Sequence, residues 1–188
     1  MKRTLAAPNS SPIHRILVPV DAIQTKLSDL LPILLMARRL RASVMLLHCY
    51  VAPPSFDFAA GERAVTELSL HRWRIRSRLY ELTGEARKLF PKCSCRYVSG
   101  SPATQILRQS ERLLADLIAI PLPLDLVRWC WLPEELVDEL VRRANCPVLC
   151  VPASQISAEE SLPNLSGPTE ADLLTTDVRR QSRGLATF

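Results

Sequence analysis

Hydrophobic positions follow two rhythms that alternate along the chain. Near-continuous apolar runs at residues 15–20, 43–51, 115–120 and 146–151 read as buried strands. Between them, apolar residues recur at three- and four-residue spacing. Leu27, Leu30, Leu31, Leu34, Ala37 and Leu40 mark one helix. Pro32 fits only near a first turn, which places that helix's start close to Asp29 or Leu30. Val65, Leu68, Ile75, Leu79, Leu82, Ala86 and Leu89 stripe a long helix over 62–90. Gly84 weakens it by about 1 kcal/mol relative to alanine. Residues 93–98 form a less apolar strand, which suits a sheet edge. Gly100-Ser101-Pro102 reads as a turn, and 103–114 and 132–143 as two further helices. Strands alternating with helices predict an α/β fold, an open parallel sheet covered by helices on both faces.

Composition narrows the class. With 188 residues, 47% of them hydrophobic, the chain is long enough for one well-buried core. No apolar run approaches the roughly 18 residues that cross a bilayer, and the basic N-terminus lacks the apolar stretch of a signal peptide. No membrane role is expected, and the cytoplasm is the expected compartment. The six cysteines form no CxxC pair. Cys49, Cys146 and Cys150 lie in or beside strands and read as buried, reduced thiols, with a disulfide or metal role as the alternative. Cys93 and Cys95 would share one strand face. The net charge of +5 is uneven: from Gln155 onward it is −2, and the remainder carries +7. That is mildly basic, below the density of a dedicated nucleic-acid binder. Residues 1–12 and 154–188 read as flexible flanks around a domain at 13–153. The C-terminal flank lacks the apolar content to order itself.

The chemistry is conspicuous for what it omits. No glycine occurs between Ser101 and Ser166. The connection over 121–131 therefore holds prolines and bulky side chains where an α/β fold often cradles a phosphate in exposed backbone N–H groups. The following helix begins Pro133-Glu134-Glu135, with Pro133 suited to the first helical position. An anion placed there meets two carboxylates, and a like charge at about 4 Å costs about 4 kcal/mol at an effective dielectric of 20. The glutamates read as helix-start residues, with a shared divalent cation as the alternative. Asp21 ends the first strand at the carboxyl edge, where open α/β sheets bind ligands, or else caps a turn there. His48 reads as a satisfied strand-end histidine in preference to a base, and His71 has no evident partner. No nucleophile–base arrangement appears, so no enzymatic activity is expected. The basic stretch 71–78 spreads Arg72 and Arg76 on one helix side and Arg74 and Arg78 on another. A solvated face is the plainer reading, and phosphate or nucleic-acid contact the alternative. Trp129 and Trp131 either fold inward to fill the vacant phosphate region, the reading favoured here, or form an interaction patch.

Five segments together resemble the universal stress protein family: 16–21 (ILVPVD), 37–48 (ARRLRASVMLLH), 98–102 (VSGSP), 115–118 (ADLI) and 142–151 (RRANCPVLCV). The resemblance covers 13–153. It implies an open five-stranded parallel sheet, Rossmann-like and of the nucleotide-binding α-hydrolase type. It also implies a protein of stress physiology, often a homodimer through its last strand, here Pro147, Val148, Leu149, Cys150 and Val151. Some members bind ATP through a G-x2-G-x9-G-[ST] pattern. The matching positions here are Pro121, Leu124, Glu134 and Glu135, and all four depart. Pro19, Asp21 and Cys49 would line a remnant adenosine pocket. The expectation is a non-enzymatic domain without ATP, metal or other cofactor, acting through dimerisation and protein contacts. A small-ligand sensor built on the Asp21 pocket is the alternative.

Overall fold

A computed structural model describes residues 12–51, 62–123 and 133–153. Nine elements run in order: β1 (Arg15–Pro19), α1 (Leu27–Leu40), β2 (Ser43–Tyr50), α2 (Glu62–Leu89), β3 (Cys93–Ser99), α3 (Pro102–Leu113), β4 (Leu117–Leu122), α4 (Glu134–Arg143) and β5 (Val148–Pro152). The expectations for residues 1–11 and 154–188, and for Leu124, Trp129 and Trp131, fall outside the described residues. Among the described residues no helix is long and apolar enough to cross a membrane.

The five strands form one parallel sheet in the order β3-β2-β1-β4-β5. Period-two alternation divides the core. Ile16 and Val18 of β1 join Leu30 and Ile33 of α1 and Leu79 and Leu82 of α2 on one face. Leu17 turns to the other face, with Ile106 of α3 and Leu136 and Leu140 of α4. Each such side chain contributes about 1.5–3 kcal/mol on burial. The less apolar β3 lies at an edge, as its composition predicts.

Four local readings shift. Helix α1 starts at Leu27, two residues early, because the Asp29 carboxylate takes the Lys26 N–H at 2.9 Å and fixes the first turn. Pro32 then sits in the second turn, where the Ser28 carbonyl forgoes its helical donor. Strand β4 starts late because the Ala115 N–H closes the end of α3 on the Ser110 carbonyl at 2.8 Å. It runs further because the Ala153 N–H bonds the Leu122 carbonyl at 2.7 Å, so Pro121 is a strand residue paired with Val151. Pro133 is the N-cap of α4, extended at ψ 153, so Glu134 is the first helical residue. Strand β5 is not the buried strand its apolar run suggests. Among the described residues it has a neighbouring strand on one side only, Leu149 is 42% exposed, and Cys150 is exposed.

Candidate functional site

The carboxyl ends of β1 and β2 frame a cleft of about 420 Å³. Pro19 and Asp21 line it from the end of β1, and Cys49 and Tyr50 from β2. His71 and Ile75 of α2 close one flank, Pro102 and Ile106 of α3 the other. The three pocket residues read from sequence, Pro19, Asp21 and Cys49, are therefore brought together. Gly100 makes this possible on the α3 side. Its φ of +128° is one that side-chain-bearing residues avoid, and its N–H bonds the Tyr50 carbonyl at 2.9 Å. The turn thereby delivers Pro102 to the cleft.

Asp21 serves two purposes at once. Its Oδ1 accepts the Ile23 N–H at 2.8 Å and the Gln24 N–H at 3.2 Å, an Asx turn that shapes the cleft wall the residue also lines. His48 is buried. Its Nδ1 lies 3.1 Å from the Val20 carbonyl and 3.3 Å from the Ala22 N–H, donating to the first or accepting from the second according to tautomer. Burial lowers its pKa against the opposing pull of the Val20 carbonyl and Asp21, while His71 adds to the lowering. Burial pushes the Cys49 thiol up to about 12, which leaves it a poor nucleophile at neutral pH.

Sequence reasoning missed an aromatic stack beside the cleft. His48 and Tyr50 alternate to the same side of β2, and Tyr97 pairs with His48 in register across to β3. The Tyr97 ring lies 5.8 Å from His48 and 5.9 Å from Tyr50, both stacked, and the His71 ring lies 6.0 Å from Tyr50. From α2, Arg72 lies over Tyr50 at 5.1 Å and Arg76 over Tyr97 at 5.4 Å. Among the described residues neither tyrosine hydroxyl, though buried, meets a hydrogen-bond partner. Burial, then Tyr50, raises the Tyr97 pKa, with the two arginines opposing. The alternation of His48 with Tyr50 and the four-residue step from Arg72 to Arg76 were visible in sequence. Their meeting was not, because only the packing of α2 on β2 and β3 creates it. Arg78 points elsewhere, to Glu81 at 3.3 Å and Glu85 at 3.5 Å.

Of the positions that match the family's phosphate-binding pattern, the described ones, Pro121, Glu134 and Glu135, are not among the cleft's lining residues. Pro121 lies within β4, and Glu134 and Glu135 are exposed in the first turn of α4. Among the described residues no group of three His, Cys, Asp or Glu side chains could hold a metal.

The profile of the universal stress protein family matches residues 12–152. A solved structure from that family in Burkholderia pseudomallei is similar at 19% identity and a TM-score of 0.54, over 77% of this chain and 99% of its own. The universal stress protein from Archaeoglobus fulgidus, solved with dAMP, is similar at 16% identity and a TM-score of 0.50, over 74% and 98%. At these identities the likeness shows a shared fold. No curated protein matches the chain.

Proposed function

The chain belongs to the universal stress protein family, and on that premise we propose that it is a non-catalytic stress-response domain whose cleft takes a nucleoside-sized ligand and rejects a triphosphate. The reading rests on an open cleft at Asp21 and, outside its lining, on carboxylates at the start of α4, the positions that match the family's phosphate-binding pattern. A helix N-terminus ordinarily attracts phosphate through free N–H groups and dipole, and Glu134 and Glu135 cancel that attraction. The structural relative that holds dAMP makes a nucleoside monophosphate a reasonable probe. Non-catalysis is supported by the chemistry of two groups in the cleft lining: Nδ1 of His48 is engaged with backbone, and Cys49 is held protonated.

Calorimetry of the full chain with adenosine, AMP and magnesium ATP tests this. ATP is expected to show no saturable binding tighter than about 10 μM, roughly −7 kcal/mol. AMP or adenosine should bind more tightly than ATP, and Asp21→Ala should weaken that binding. Micromolar ATP binding, or nucleoside binding indifferent to Asp21→Ala, would sink the proposal.

A second reading has its own support. Among the described residues strand β5 ends the sheet, and it exposes Leu149 and Cys150. Such an edge is a template for a second strand. The chain self-associates through residues 147–151 as a cytoplasmic homodimer.

A further inference from the structure

The outer side of α2 carries a further concavity, about 460 Å³, that shares no lining residue with the cleft. Ser69, Arg72, Trp73, Arg76, Ser77 and Tyr80 line it. These positions recur every three or four residues, so they share one face of the helix. Ile75 and Leu79 turn the opposite side of the same helix into the core. Trp73 is 65% exposed and Tyr80 60%, one above the other at a spacing of seven residues. Val65, 63% exposed, extends the same stripe by four residues toward the N-terminus.

Among the described side chains that line this concavity, two are cations and none is a carboxylate. Both cations are preorganised: the guanidinium groups of Arg72 and Arg76 lie over Tyr50 and Tyr97, which fixes them without supplying an acceptor. Such an arginine has lost much of its freedom already, and its N–H groups can meet a carboxylate at reduced entropic cost. Exposed tryptophan, tyrosine and arginine in one patch is the composition of a binding hot spot.

We infer that this face of α2 docks an acidic amphipathic helix of a partner protein. The partner's apolar stripe would cover Val65, Trp73 and Tyr80, and its carboxylates would meet Arg72 and Arg76. Charge complementarity selects an acidic occupant. The aliphatic Val65 favours a helix over a nucleic acid, whose bases would stack on the two aromatic rings but gain little from it. The inference stands apart from the cleft's ligand.

The test uses the full chain and three labelled probes followed by fluorescence anisotropy. One is a synthetic helical peptide with a leucine stripe bordered by glutamates. The second has the same composition shuffled so that the leucines no longer share a face. The third is an oligouridylate of matched charge. The ordered peptide should bind saturably and more tightly than both others. Trp73→Ala, Tyr80→Ala and Arg76→Gln should each weaken it by about fivefold or more. Ser77→Asp adds a repulsive charge while removing no packing, so it should weaken binding even if another variant fails to fold. Equal binding of the shuffled peptide would reduce the face to unspecific charge and overturn the inference. So would preferential binding of the oligouridylate, absence of saturation with the ordered peptide, or indifference of folded variants to these changes.

Discussion

His48 shows how the fold sets the chemistry of a single group. Asp21 at the end of β1, His71 on α2 and Tyr97 on β3 face it, and burial outweighs the rest to lower its pKa below 6.5. The folded state therefore disfavours the proton that the unfolded chain accepts. The resulting stability is full above about pH 6.5 and is lost as pH falls through the folded value. Denaturant midpoints should drop between pH 7.5 and pH 5.5, and His48→Gln should shrink the difference; an unchanged difference would assign the acid sensitivity to other groups. Gly100 is a second residue whose identity is dictated by conformation. An added Cβ would meet Gln105 Nε2 at 2.9 Å on a backbone with φ of +128°. Gly100→Ala should cost about 1–3 kcal/mol in denaturant unfolding. The converse case is Leu114, which closes α3 at φ 48° while 66% exposed. Glycine is the usual occupant of that left-handed cap. Leu114→Gly should stabilise by about 1 kcal/mol, after the greater freedom of the unfolded chain is set against the relieved strain.

Among the elements, α2 and β5 leave the most surface to be used. Helix α2 divides its residues three ways: Ile75 and Leu79 to the core, His71 to the cleft, and Trp73 and Tyr80 to solvent. Its apolar periodicity reveals only the first. Strand β5 reads in sequence like the other buried strands, since Val148, Leu149, Cys150 and Val151 are all apolar. Its exposure follows from its place in the strand order, which periodicity does not encode. If β5 pairs with its counterpart, light scattering at tens of micromolar should report a dimer. Leu149→Lys should then convert the dimer to monomer while leaving the fold intact, because charged side chains blunt an exposed edge. A wild-type monomer at that concentration would remove the dimer reading.

For the whole molecule, the sheet order predicts a gradient of stability. Strand β1 sits between β2 and β4 with Leu17 and Val18 fully buried, whereas β3 and β5 are the terminal strands of the sheet among the described residues. Hydrogen exchange should be slower in β1 than in the edge strand β3, and equal rates in the two would contradict that order. The same order explains what was legible in the chain. Strand and helix identities, the parallel sheet and its two covered faces followed from local rhythm, because period two and period 3.6 sort side chains toward or away from a core within each element. The meeting of Pro19, Asp21 and Cys49 was carried by family resemblance, and the departures at Pro121, Glu134 and Glu135 were plain in the residues themselves. That the apolar β5 is an edge came from the resemblance and not from its residues, and tertiary structure alone decided that Pro121 continues β4. It also decided that His48, Tyr50, Tyr97, Arg72 and Arg76 converge in one stack. Those facts depend on which elements become neighbours, a choice made by long-range packing that no local pattern of hydrophobic and polar residues records.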